Sequence, residues 1–330
     1  MKPSVYVTRR IPQAALDLLR SQCQVRIWDS DDPVPRPILL EEVAGCDGLF
    51  CLLTERIDTA LLDRAPRLRV VANMAVGYDN IDVPAATARG VMVTNTPGVL
   101  TETTADLAFA LILATARRLV EAARFLAAGQ WKTWGPMLLT GQDVYGSTLG
   151  LVGFGRIGQA VARRARAFDM RIVYHDPERQ QAAEEALGAT WLPLDDVLRQ
   201  ADVVSIHAPL TPDTYHLIGE RELRLMKPTA ILVNTARGPL VDEQALYRAL
   251  REGWIWAAGL DVFEREPIGP DHPLLSLPNV VALPHIGSAS IATRTRMAVL
   301  AAQNLIAGLK GDTPPNLVNR EVLAGRGPRP

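Results

Sequence analysis

The run Gly153-Phe154-Gly155-Arg156-Ile157-Gly158 constrains this chain more than any other segment. It follows an apolar stretch, Leu149–Val152, and precedes Gln159–Phe168, whose apolar spacing predicts a helix. A second strand-like run, Arg171–Tyr174, leads to Asp176. That acid falls close to the roughly 20-residue offset at which a ribose-binding carboxylate follows such a turn. Gly153 permits the tight turn, Gly155 lets backbone approach a pyrophosphate, and Gly158 lets helix and strand pack closely. The helix start, with Arg156 and Ile157, presents unpaired N–H groups and partial positive charge to phosphates. Strand, turn, helix and acid together predict a dinucleotide site. Asp176 can accept from both ribose hydroxyls and repels a 2′-phosphate, which favours NAD. Arg179, three residues on, leaves NADP possible.

The rhythm around this turn predicts an α/β protein with two doubly wound parallel sheets. Strands are expected at Val5–Thr8, Val25–Trp28, Gly48–Leu52, Leu68–Asn73 and Val91–Thr94, with helices between. The pattern stops at the turn cluster Asn95-Thr96-Pro97-Gly98. Thr101–Ala128 then reads as one long apolar helix, followed by a Trp-, Gly- and Pro-rich connector from Gln130. The rhythm restarts at Thr148, with strands at Leu149–Val152, Arg171–Tyr174, Val203–Ile206, Ala230–Asn234, Ala257–Leu260 and Val280–Leu283. A last helix is expected over Ala289–Leu309, and a partly ordered surface tail from Gly311 to Pro330. A length of 330 residues, 48% hydrophobic, suffices for two cores.

Several function classes recede on composition. The formal net charge of -1 and the lack of a basic block disfavour nucleic acid and anionic membranes. No apolar run approaches a membrane span and no secretory signal is visible, so a cytoplasmic location is expected. Cys23, Cys46 and Cys51 are few and unclustered. They read as small core residues in a reducing compartment, and no metal site is expected.

Three segments follow strands at their carboxyl ends, where doubly wound sheets place chemistry. They are Asn234–Gly238, Asp261–Pro267 and Pro284–Ser288. Arg237, Glu266 and His285 stand out within them. Taken singly, each is as well explained as a surface charge or a turn residue. Together they supply what reduction of a 2-keto acid requires. Arg237 offers a bidentate, permanently charged fork for carboxylate and carbonyl. His285 is a general acid suited to neutral pH. Glu266 can orient the imidazole and stabilise its charged form.

Six ordered motifs extend this pattern along the chain: Met74–Asn80, Asn95–Thr101, Gly153–Gly158, Asn234–Gly238, Ala258–Phe263 and Leu283–Ser288. With them the chain resembles the D-2-hydroxyacid dehydrogenases, and within that family the glyoxylate/hydroxypyruvate reductases. The resemblance implies a Rossmann cofactor domain, 99–287, inserted in a flavodoxin-like substrate domain, 1–98 with 288–330. It implies Arg237, Glu266 and His285 as catalytic residues. It places Leu53, Val76, Gly77, Ser288 and Trp134 with Arg237 and His285 around substrate; Ser288 could equally cap the last helix. It places Thr104, His207, Ala208, Pro209, Thr214, Thr235, Ala236, Asp261 and Gly287 with the glycine turn, Asp176, Arg237 and His285 around the cofactor. Hinges are implied near Asn95–Leu100 and Pro284–Ser288, with closure that excludes water. A homodimer through residues 101–146 is implied too, with Trp134, Met137 and Leu138 reaching a partner's site or packing in the interface.

Close families bound the substrate. Phosphite dehydrogenase shares the Arg, Glu and His but carries a Lys where this chain has Val76, so phosphite would be held less well. Formate dehydrogenase pairs its His with Gln, whereas Glu266 stands here. Reduction of 2-ketogluconate or formation of D-lactate stays open. NADPH-preferring reductases of this family carry basic or small residues where this chain has Tyr174-His175-Asp176-Pro177. Corepressor relatives use the same fold to sense NAD(H), but with longer tails than this one.

Overall fold

The computed structural model describes residues 2–324. They divide into two compact units, residues 2–100 with 289–324 and residues 101–288. In the first unit, five strands form a sheet: β1 (Ser4–Val7), β2 (Gln24–Ile27), β3 (Gly48–Cys51), β4 (Val70–Asn73) and β5 (Met92–Thr94). Their order is β2-β1-β3-β4-β5, and every pair is parallel. This is the flavodoxin-like order. β3, β4 and β5 are buried throughout, as befits parallel strands covered on both faces.

The second unit holds seven strands: β6 (Thr148–Val152), β7 (Arg171–His175), β8 (Ala189–Trp191), β9 (Val203–Ile206), β10 (Ile231–Asn234), β11 (Ala257–Leu260) and β12 (Val280–Ala282). Their order is β12-β11-β10-β9-β6-β7-β8, again parallel throughout. Counting from β6, this is the Rossmann order with one added edge strand. The direction of winding reverses between β6 and β9, which is where such sheets bind ligands.

The helix Ile291–Lys310 belongs to the first unit, although it follows the whole of the second. It packs on β3, β4 and β5 and on the helix Gln13–Gln22. Leu305 and Leu309 are buried there, and each such side chain contributes about 2 kcal/mol. A Cβ at Gly308 would meet Val70 Cγ2 at 2.6 Å, so glycine is what lets this helix lie close on the sheet.

The structure corrects four expectations. Thr101–Ala128 is two helices, Thr101–Ala116 and Leu119–Ala127, because Arg118 adopts a left-handed φ of 52°. The Ala116 carbonyl accepts from Gln142 N at 2.9 Å, and Arg118 Nη1 donates to Thr140 O. Chain that returns from the connector thus takes the Ala116 carbonyl that a continuous helix would have used, and the Arg118 side chain anchors it. β8 is a strand not foreseen, only three residues long. Ser290, not Ser288, caps the last helix, accepting from Thr293 N. The segment after Gly311 is stitched along β5 at residues 316–319, and a short 3-10 turn, Arg320–Leu323, follows. Asn319 is 2% exposed; its Oδ1 accepts from Val93 N, and its Nδ2 donates to Thr87 Oγ1 and Val91 O. The rest of the foreseen tail lies outside the described residues. Cys23, Cys46 and Cys51 are buried and form no disulfide, and among the described residues no helix is long and apolar enough to cross a membrane.

Candidate active site

In the second unit the glycine turn leaves β6 at the switch point. Gly153 has φ +93°, and a Cβ there would lie 2.6 Å from Ala208 N and 2.7 Å from His207 C. Only glycine allows both the turn and the close passage of the His207–Pro209 loop, which leaves β9 beside it. His207 N donates to Val152 O, and its ring Nε2 pairs with the buried Ser205 hydroxyl at 2.9 Å. Burial holds the His207 pKa down to about 4. Thr214 supports this loop from within: its hydroxyl donates to Pro209 O and accepts from Thr211 N.

The turn suits a dinucleotide. A Cβ at Gly155 would meet nothing within 4 Å, so the space above it is open. Arg156 and Ile157 begin the helix Arg156–Arg166, and first-turn N–H groups have no intrahelical acceptor. Asp176 Oδ2 accepts from Phe154 N at 2.8 Å, while Oδ1 accepts from Glu178 N. The acid is thereby fixed to the turn, and each oxygen keeps a further lone pair for a hydroxyl. Asp261, fully buried, is the clearest fit. Its Oδ1 accepts from Ile286 N, but Oδ2 has no partner. Burial pushes the Asp261 carboxyl up, countered by Ile286 N–H and His285. A Cβ at Gly287 would lie 3.2 Å from Asp261 Oδ2 and 3.5 Å from Thr104 Cγ2, so these three line one spot. An orphaned carboxylate oxygen there suits an amide donor such as a carboxamide. The Thr235 hydroxyl is buried without a partner as well.

His285, Glu266 and Arg237 come together in the same unit. His285 Nδ1 and Glu266 Oε2 are 2.6 Å apart. Glu266 Oε1 accepts from Phe263 N, which orients the carboxylate. Burial pushes the Glu266 carboxyl up, but the hydrogen bond and charge of His285, with help from Arg237, leave it below its usual value. An ionised carboxylate only accepts, so Nδ1 of His285 carries the hydrogen and Nε2 is left as the exchangeable position. His285 sits at φ +54°, and its N–H donates to Asp261 O. A bulky residue held in that region is strained, as active-site residues often are. Arg237 Nη1 donates to Ala236 O. Its loop is shaped by Asn234, whose amide donates to Arg237 O and accepts from Ala236 N. A Cβ at Gly238 would lie 1.8 Å from the Phe263 carbonyl carbon, so glycine is required where the Arg237 loop crosses the Phe263–Glu264 backbone.

In the first unit the Val76–Gly77 turn follows β4. Asn73 donates to Gly77 O and Asn95 to Val76 O, while Asn80 holds Leu52 O and Glu55 O on the neighbouring turn beside Leu53. Among the described residues no acceptor takes the N–H groups of Val76 and Gly77. The motifs Met74–Asn80, Asn95–Thr101 and Asn234–Gly238 contain three of the four asparagines Asn73, Asn80, Asn95 and Asn234 without giving them a role; the signal was an Asn ending an apolar run or following it in the turn. Ser288 is half-buried, and Trp134 is 77% exposed. Among the described residues one grouping has metal-ligand spacing, His216, Asp242 and Glu264. Its members are already engaged: His216 Nε2 meets Glu264 Oε1 at 2.9 Å, and Asp242 caps the helix Glu243–Glu252.

A Rossmann sheet with this turn and an Arg, Glu and His beside it defines a nicotinamide-dependent oxidoreductase. Residues 109–287 match the model of the D-isomer specific 2-hydroxyacid dehydrogenase NAD binding domain, and the chain belongs to that family. The glyoxylate reductase of Korarchaeum cryptofilum is 57% identical over 329 residues, 99% of each chain. A solved Thermus thermophilus protein is 52% identical, with a TM-score of 0.90 over 96% of this chain and 99% of that one. An NADPH-dependent glyoxylate/hydroxypyruvate reductase of Sinorhizobium meliloti, solved with NADP and malonate, is 38% identical, with a TM-score of 0.85 over 98% of each chain.

Proposed function

We propose that this chain reduces glyoxylate or hydroxypyruvate to the D-2-hydroxy acid, with NADH preferred and NADPH usable. The observation that carries this reading is the 2.6 Å pair of His285 and Glu266 on the loop edge that holds Arg237. The similarity to a glyoxylate reductase and to a glyoxylate/hydroxypyruvate reductase supports the choice of acid. The unit of residues 101–288 would be the cofactor domain and the other unit the substrate domain. Bound nicotinamide supplies the hydride. Gly153–Gly158 would hold the pyrophosphate, Asp176 the adenosine ribose, and Asp261, Thr104 and Gly287 the carboxamide end. His207–Pro209 and Thr235-Ala236 would wall the same site.

Among the chain's own groups, Arg237 binds carboxylate and carbonyl and stabilises the developing alkoxide. His285 gives its Nε2 proton to the carbonyl oxygen, and Glu266 holds the ring and offsets its charge. Val76 and Gly77 offer N–H donors to the carboxylate, and Leu53 and Ser288 shape the site. We further infer a cytoplasmic homodimer through residues 101–146. Leu119, Leu126, Trp131, Trp134 and Met137 are large apolar side chains left exposed there, and a partner would cover them. Steady-state rates with glyoxylate, hydroxypyruvate, pyruvate, 2-ketogluconate and phosphite, each with NAD(H) and NADP(H), test the reading. The highest kcat/KM is expected for glyoxylate or hydroxypyruvate with NADH. Faster phosphite oxidation, or no keto-acid turnover, would overturn it.

A further inference from the structure

The dinucleotide turn carries a second layer behind Asp176. Arg179 is the cation nearest in sequence to that acid, and it is held bidentately. Its Nε donates to Glu184 Oε1 and its Nη2 to Glu184 Oε2, both at 2.9 Å. Glu184 is in turn anchored by the Tyr174 hydroxyl, which donates to Oε1 at 2.6 Å and accepts from Gln180 N at 2.8 Å. The Tyr174 ring stacks on Phe154, with centroids 4.0 Å apart. Phe154 lies inside the glycine turn, and its N–H is the one Asp176 holds. The carboxylate of Glu184 is therefore tied through one side chain to the turn itself. Its side chain is 12% exposed, whereas that of Arg179 is 58% exposed. The fixed partner is the acid, and the arginine is the group that can leave.

We propose that Glu184 is a positioning residue for cofactor choice: it ties down Arg179, which would otherwise serve as a fork for a ribose 2′-phosphate. The proposal rests on the reading of Asp176 as the ribose acid. The chemistry follows from the pairing. A guanidinium carries five N–H donors; Glu184 takes Nε and Nη2, the side-on fork, and offsets the charge, so Arg179 must turn away from Glu184 to offer that fork to a phosphate monoester. Asp176 repels a 2′-phosphate directly, and Glu184 withholds the cation that would offset the repulsion. The hydrogen bond of Arg179 also holds the Glu184 carboxyl below its ordinary value, with Tyr174 adding to it, so the acid keeps its charge.

The test is titration of the whole enzyme with NAD+ and with NADP+, measured by calorimetry, so that binding is read apart from turnover. Glu184→Gln keeps the shape and an acceptor for Tyr174 but removes the charge that holds Arg179. It should tighten NADP+ by about 10-fold, the weight of one charge-assisted contact, and leave NAD+ within about 2-fold. The double variant Arg179→Ala with Glu184→Gln should lose that gain. Equal weakening of both cofactors in Glu184→Gln would mean Glu184 only braces the loop, and would overturn the proposal. An unmoved NADP+ affinity would overturn it too, as would a gain that survives Arg179→Ala. Failure of the underlying reading looks different: the unaltered enzyme would bind NADP+ as tightly as NAD+, leaving no preference for Glu184 to set.

Discussion

Oε2 of Glu266 lies 2.6 Å from Nδ1 of His285, a contact that spans 19 residues of chain. Two loops leave neighbouring strands, β11 and β12, at the same edge of the sheet, and the pair joins them. Phe263 N on one side and Asp261 O on the other hold each partner by its backbone surroundings. The ring therefore has one orientation, with a single nitrogen left to exchange a proton.

Replacement of His285 by Ala should lower kcat by at least about 10²-fold, the usual contribution of a general acid. Glu266→Gln should lower it by roughly 10–100-fold, since a charge-assisted hydrogen bond is worth about 1.5–3 kcal/mol. Affinity for NADH should change little in either. The Glu266 carboxyl is held low, so activity should persist as the medium is acidified and fall only as that acid takes up its proton. Stopped-flow turnover with separate NADH titration checks both. A His285→Ala enzyme with near-normal kcat would sink the assignment.

His207 links stability to pH. Its folded pKa is about 4 and its ordinary value 6.5. Between those values the unfolded chain binds the proton and the folded one does not, so stability falls as pH falls across that window and levels off below it. The loss is at most about 3 kcal/mol for one such histidine. Urea unfolding of the wild type and His207→Gln at pH 7 and pH 4.5 tests this. An equal pH dependence in the two proteins would refute it.

Gly238→Ala should be among the most damaging single-methyl additions. Its Cβ would overlap the Phe263 carbonyl, so the Arg237 loop or the Glu266 loop must move. A backbone clash of this kind costs more than about 3 kcal/mol or is relieved by displacing the site. Thermal unfolding and kcat measured on the same preparation decide it; full activity with unchanged Tm would contradict the geometry.

Asn319→Ala should destabilise the first unit by about 2–4 kcal/mol. It strands the Val93 N–H and the Val91 carbonyl in a buried site. Turnover per folded molecule should stay normal. Chemical denaturation is the measurement, and a loss below about 1 kcal/mol would show that the tail is dispensable.

The strands and the site loops were legible because their signals are local. β-Branched runs mark β4, β9 and β10, an apolar run marks β3, and Arg237, Glu266 and His285 each follow a strand's end. What escaped was set by tertiary contacts. Nothing about Arg117-Arg118 forbids a helix; the break comes from Gln142, which claims the Ala116 carbonyl. Ala189–Trp191 is too short to show alternation, and becomes a strand only by pairing with β7. The left-handed backbone of His285 and the Arg179–Glu184 pair arise from partners that sequence distance does not reveal. Asn319 sits in a Pro- and Gly-rich stretch whose composition argues for a loose tail, yet its amide meets three partners far along the chain.

The helix Ile291–Lys310 also sets an order of events at the ribosome. Residues 101–288 are continuous, so that unit can fold as it emerges. The five-stranded sheet is complete in sequence by Thr94, but the face that carries Gly48, Val70 and Met92 waits for a cover nearly 200 residues away. Until that helix is made, the five-stranded sheet holds an open apolar flank. An open flank of this kind exposes a nascent chain to aggregation, and the sheet is complete as a packed unit only when the helix docks.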